Sequence, residues 1–209
     1  IRITPSIGFG FHTVGTITRE KYNGNPGPIL GRLPLSLSLM VNKGFKNKGV
    51  EQITQKLKGQ KFEIPIGISI GRTNSKSLAT HRDCIADIIS SFILCEDLQM
   101  HHSYYELNIS CPNLLTPITF YDSVELGNLL KAVDSLGLQR PLYIKMPIEC
   151  TNEVTFSLLD TIQKHNVQGV IFGNLQKNRH DESLNQLEVA RFPKGNFSGK
   201  PTQKRSNEL

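Results

Sequence analysis

The chain has 209 residues, of which 38% are hydrophobic, and a formal net charge of +6, which suffices for one sizeable core. No linker or low-complexity stretch divides it, so one domain over 1–209 is expected. It holds no run of 18 apolar residues, and its first residues lack a basic start, an apolar stretch and a cleavage site, which excludes a membrane span or signal peptide within these residues.

The positive charge is densest at Lys43, Lys46, Lys48, Lys56 and Lys58. Aromatic residues do not form a stacking platform among these lysines, so a solvated surface is expected rather than a nucleic-acid site, with a weak membrane-surface or anionic-ligand role as the other reading. The cysteines Cys84, Cys95, Cys111 and Cys150 show no Cys-x-x-Cys spacing and no matching histidine pair. That pattern speaks against a zinc site and for a reducing compartment.

In chain order, short apolar runs alternate with longer amphipathic ones. A strand is expected over 13–18, a helix over 49–57, a strand over 63–70 and a helix over 77–94. A strand follows over 104–109, then a helix over 123–136, a strand over 142–146, a helix over 152–165 and a strand over 169–172, with a new helix starting after Pro201. Strand–helix alternation implies parallel pairing. A closed (β/α)8 TIM barrel takes roughly 250 residues, so the expectation is an incomplete barrel without its first strand and last two.

The chemistry concentrates at three strand ends. Asn108-Ile109-Ser110-Cys111-Pro112-Asn113 sets one potential nucleophile or base between two carboxamides, with Pro112 fixing the backbone. Leu142-Tyr143-Ile144-Lys145-Met146-Pro147 carries a lysine inside an apolar run, and Gly169-Val170-Ile171-Phe172-Gly173-Asn174 ends in an asparagine. Singly these are a buried structural cysteine, an edge lysine and a turn residue. Together they deliver Cys, Lys and Asn to one carboxyl rim, where barrels place their active sites.

With these residues in view, the chain resembles the dihydroorotate dehydrogenase family nearly end to end. Further matching blocks are Gly8-Phe9-Gly10-Phe11, Val14-Gly15-Thr16-Ile17-Thr18, Gly24-Asn25-Pro26, Arg32-Leu33-Pro34, Asn42-Lys43-Gly44-Phe45, Gly67-Ile68-Ser69-Ile70-Gly71 and Gly195-Asn196-Phe197-Ser198-Gly199-Lys200-Pro201. The Arg-Leu-Pro and Ser-Gly-Lys-Pro blocks are most similar to the membrane-associated, quinone-reducing class 2 enzymes. The resemblance implies an oxidoreductase acting on a CH–CH bond: FMN-dependent oxidation of (S)-dihydroorotate to orotate in pyrimidine (UMP) biosynthesis. It implies quinone as electron acceptor, and a cytoplasmic protein in peripheral contact with the inner face of the membrane.

The same resemblance assigns Cys111 as the base that removes a proton from substrate C5, and Lys145 as the ammonium lying against the flavin. Asn108, Asn113 and Asn174 match asparagines that hold the orotate ring, and Asn42 supplies a fourth if one residue is deleted before Gly44. Gly15, Thr16, Ser198 and Gly199 match flavin contacts, and Ser69 stands where class 2 enzymes usually carry a flavin-binding Asn. Cysteine at the base position is typical of class 1 enzymes, class 2 enzymes usually having serine, which leaves fumarate or NAD open as acceptors. A free thiol titrates near about 8.5, so cysteine is expected to need less help than serine in taking a proton. Leu175 replaces the hydroxyl residue that normally follows the last substrate asparagine. A dihydropyrimidine dehydrogenase-like flavin barrel and a non-catalytic remnant are the other readings.

Two lookalikes fall away. Residues 195–200 have three residues between glycines and Pro201 where a phosphate loop needs Ser or Thr, and the sequons at Asn108 and Asn196 have no secretory context.

Overall fold

The computed structural model describes residues 1–97 and 101–209. Five strands, β1 (His12–Ile17), β4 (Ile66–Ile70), β5 (Tyr104–Asn108), β6 (Leu142–Met146) and β7 (Gly169–Phe172), form one parallel sheet in the order β1-β4-β5-β6-β7. Between them run α1 (Val50–Leu57), α2 (His81–Asp97), α3 (Ser123–Asp134) and α4 (Asn152–Ile162). This is an incomplete (β/α)8 barrel, with five parallel strands among the described residues where closure needs eight.

Each strand follows from its alternation. In β4, Ile68 and Ile70 pack into the layer under the helices with Cys84, Ile88 and Phe92 of α2, while Gly67 and Ser69 face the other, concave side. Helix ends are set by short polar caps. Thr80 and Asp83 exchange reciprocal backbone and side-chain hydrogen bonds at the start of α2, so the helix begins at His81 rather than 77. Asp122 accepts from the Val124 and Glu125 amides to open α3, whose Leu126, Leu129, Leu130 and Val133 are buried at helical spacing. β4 starts at Ile66 rather than 63 because Pro65, which lacks an N–H, precedes it.

A second sheet was not expected from the sequence. β2 (Leu30–Leu33), β3 (Ser38–Val41) and β8 (Asn196–Phe197) pair antiparallel in the order β2-β3-β8. Leu33, Met40 and Phe197 bury against Leu184 and Val189, the latter on α5 (Gln186–Ala190), as a separate small core. Glu188 accepts from the Leu35 and Ser36 amides and the Ser36 hydroxyl, tying the β2–β3 turn to α5. The expected helix after Pro201 is α6 (Lys200–Glu208), which begins at Lys200 so that Pro201 lies in its first turn, and is anchored where Arg205 donates to the carbonyls of Ile148 and Cys150 beyond β6. Among the described residues no helix is long and apolar enough to cross a membrane.

Gly67 shows how tightly the concave face is filled. A Cβ there would fall 2.1 Å from the Tyr104 ring, and that ring is pinned by its hydroxyl on Thr13 (2.7 Å) and by an edge contact with Tyr143. Gly67→Ala is therefore expected to destabilise by about 1–3 kcal/mol through overpacking. A urea unfolding midpoint equal to wild type would show that Tyr104 yields freely.

Candidate active site

The carboxyl ends of the parallel strands hold a continuous run of polar side chains. Asn108 closes β5 and donates through Nδ2 to Thr16 Oγ1 (2.8 Å), Thr16 Oγ1 lies 2.9 Å from Ser69 Oγ, and Ser69 donates to Glu106 Oε1 (2.5 Å). Asn108 Oδ1 accepts from the amide and hydroxyl of Ser110 (3.2 and 3.1 Å). Asn174, just beyond β7, donates to the Ser110 carbonyl and hydroxyl, both at 2.7 Å, and receives the Leu175 amide on Oδ1 at 2.8 Å. Lys145 sits in register between Asn108 of β5 and Ile171 of β7. Its ammonium forms no ion pair among the described residues. Gly15 is required by the protein itself, because its φ is +138° and a Cβ would lie 2.6 Å from the Ser69 carbonyl.

Cys111 opens the loop between β5 and α3. It shares a cavity of about 390 Å³ with Asn108, Arg72, Phe120, Tyr121 and Lys177. Burial pushes its thiol up to about 11, against the pull of the Asn113 backbone N–H and the cations Lys145, Arg72 and Lys177. Desolvation of the charged form outweighs the nearby positive charge, so the thiol needs help of its own to take a proton, though less than an alcohol would. Arg72, only 4% exposed, braces the loop by donating through Nη2 to the carbonyls of Thr116 (2.9 Å) and Ile118 (3.2 Å).

The four sequence-picked asparagines fall into two groups. Asn108 and Asn174 meet through Ser110, as above. Asn42 and Asn113 join a separate carboxamide network centred on Asn25, which donates to Asn42 Oδ1 (3.0 Å) and the Asn113 carbonyl (2.9 Å). Asn113 in turn donates to the Val41 carbonyl (3.1 Å) and accepts from Asn196 (2.6 Å), while Asn74 donates to Asn25 and receives the Leu115 amide. Asn25, Asn42, Asn113 and Asn196 of this second group line another cavity of about 390 Å³ that also holds Arg179 and Lys194. Pro112, Leu114 and Leu115 border both cavities. Ser198 donates from its amide to the Leu39 carbonyl (3.0 Å), and Gly199, at φ +77°, needs to lack a side chain because a Cβ would lie 2.4 Å from the Leu37 carbonyl.

Sequence reasoning passed over Glu106, Ser110, Arg72, Asn25, Asn74 and Asn196. Asn25 and Asn196 lie in blocks that carry the resemblance, and Glu106 is an acidic residue inside an otherwise apolar strand; those were the available signals.

Taken together, the parallel strands and this rim define a (β/α)-barrel protein with a thiol, a lysine and carboxamides gathered at the carboxyl ends of its strands. The profile of the family described as Dihydroorotate dehydrogenase matches residues 3–209, and the chain belongs to that family. It is similar to the proteins named "Dihydroorotate dehydrogenase (quinone)" of Trichodesmium erythraeum, at 28% identity over 100% of this chain and 56% of that protein, and of Gloeobacter violaceus, at 30% over 97% and 55%. The chain thus spans a little over half the length of these curated relatives. Among solved structures, it resembles DHODH from Eimeria tenella in complex with ferulenol, with a TM-score of 0.79, 20% identity, and coverage of 97% of this chain and 59% of that one. The ligand-free form from the same organism matches at 0.79 and 22%, covering 94% of this chain and 59% of that one. These likenesses support the barrel fold.

Proposed function

We propose that residues 1–209 form one partial FMN-binding (β/α) barrel domain of a dihydroorotate dehydrogenase, oxidising (S)-dihydroorotate to orotate and passing electrons to quinone. The observation that carries this reading is the placement of Cys111 directly beyond β5, in the cavity that Asn108 lines, with Lys145 in register beside Asn108. Both relatives described above are named for the quinone-dependent activity.

The donor set fits FMN. An ammonium with no carboxylate partner among the described residues, beside the hydroxyl oxygens of Thr16 and Ser69, suits a planar ring rich in N–H and C=O groups that gains negative charge on reduction. Lys145, Thr16 and Ser69 would hold the ring, with Gly15, Ser198 and Gly199 as backbone contacts. Bound FMN would supply the hydride acceptor. Cys111 takes the proton from substrate C5 as thiolate, and Asn42, Asn108, Asn113 and Asn174 hold the substrate ring, which requires the two asparagine groups to close on it from either side of Pro112. The exposed lysines 43, 46, 48, 56 and 58 provide the surface for peripheral contact with anionic lipid.

The test is a parallel assay of dihydroorotate oxidation with quinone, fumarate and NAD as acceptors. Turnover with quinone is expected. Failure of dihydroorotate to reduce bound flavin would overturn the substrate, and turnover with NAD or fumarate alone would overturn the acceptor.

A further inference from the structure

Glu106 has no part in the reading above, yet it is a carboxylate only 7% exposed in the middle of the sheet. Burying a carboxylate is costly unless it is paired. No cation forms an ion pair with it among the described residues, and its hydrogen-bond donor is the hydroxyl of Ser69, itself 2% exposed.

That single contact sets the direction of every hydrogen bond beyond it. A carboxylate only accepts, so the hydroxyl hydrogen of Ser69 points at Glu106. At the 2.9 Å contact with Thr16, Ser69 can then only accept, and Thr16 must donate. With its own hydrogen directed at Ser69, Thr16 Oγ1 is an acceptor, which is what Asn108 Nδ2 meets at 2.8 Å. The far end agrees independently: the Ser110 backbone amide, a donor that cannot reverse, requires Asn108 to turn its oxygen that way. Ser110 Oγ donates to the same oxygen and accepts from Asn174. Residues from β1, β4, β5 and the segment after β7 thus form one relay whose donors all run toward Glu106.

We propose that Glu106 is a positioning residue: its carboxylate polarises the Ser69–Thr16–Asn108 relay and, together with the Ser110 amide at the other end, holds the second Nδ2 hydrogen of Asn108 as a donor toward a ligand carbonyl. Asn108 lines the cavity that holds Cys111, so the acceptor is a carbonyl oxygen on the ring bound there. That the ring is the pyrimidine of orotate rests on the function proposed above. Gln at 106 loses the charge that holds Ser69 as a donor and can turn its amino group to Ser69 in place of its oxygen; a Ser69–Thr16 pair reversed in that way would press a hydroxyl hydrogen onto the Asn108 amino group. The Ser110 amide forbids the compensating flip, so the relay is frustrated.

The test compares wild type, Glu106→Gln, Ser69→Ala and the double variant. The readouts are the side-chain amide resonances of Asn108 in isotopically labelled protein, assigned by their loss in Asn108→Ala, together with thermal melts and orotate binding by calorimetry. Glu106→Gln and Ser69→Ala are each expected to shift the Asn108 amide pair, speed its hydrogen exchange and weaken orotate about tenfold, with the double variant no worse than either single one. Unchanged Asn108 resonances in the folded Glu106→Gln and Ser69→Ala proteins, or losses that add in the double variant, would overturn the relay. Should Glu106→Gln fail to fold, Ser69→Ala removes one hydroxyl and decides the question alone, unchanged resonances again overturning it. Should wild type bind no orotate, the substrate reading fails, and the amide signal still decides whether Glu106 orients Asn108.

Discussion

Replacing Cys111 by alanine is expected to leave FMN bound while slowing dihydroorotate-driven flavin reduction a hundred-fold or more, the scale of losing a positioned general base. The pH dependence follows from the burial of the thiol. The reactive form is the thiolate, and burial holds the thiol up to about 11, so the thiolate is scarce at neutral pH. The wild-type reduction rate should climb about tenfold per pH unit above neutrality, without a plateau until the pH approaches that value. Cys111→Ser should keep part of the rate, with its profile displaced further upward because an alcohol is harder still to ionise. Rapid-reaction measurements of flavin bleaching across pH decide the matter. Wild-type rates in the alanine variant, or a flat profile in wild type, would remove Cys111 from the role of base.

Much of the barrel was readable from the sequence because its strands bury an apolar helix-facing side, and β4 buries both of its faces. Runs such as Ile66–Ile70 and Leu142–Met146 are apolar on the helix side whatever occupies the concave side, and they are separated by segments of clear helical period. The β2-β3-β8 sheet was not readable for the opposite reason. Its strands have two to four residues, too short for any period to register, and they exist because Phe197, Leu33 and Met40 find one another across the chain. Cys111 and Lys145 stood out because a strand end is a privileged position. The division of the asparagines was hidden because spacing along the chain does not show that Asn113 turns to Asn196 and Val41 while Asn108 turns to Thr16. The same holds for the thiol, since desolvation is a property of the packed loop and not of the residues flanking Cys111.

Lys145→Ala carries the second large expected effect, and it links the two halves of the reaction. On the flavin side, under the proposed function, an ammonium with no carboxylate partner among the described residues would stabilise negative charge that grows on reduction. Its loss should weaken FMN binding and lower the midpoint potential by several tens of millivolts, at about 30 mV per 1.4 kcal/mol for a two-electron couple. On the substrate side, Lys145 is among the cations that pull the Cys111 thiol down against burial. Removing it should therefore push the thiol further up and displace the pH profile of flavin reduction to higher pH, an effect that loss of flavin affinity alone would not produce. Lys145→Arg keeps the charge and should restore most of both. Potentiometric titration and the pH profile, measured on the same preparations, separate the possibilities: an unchanged midpoint means the ammonium is not at the ring, and an unmoved profile means it does not act on Cys111.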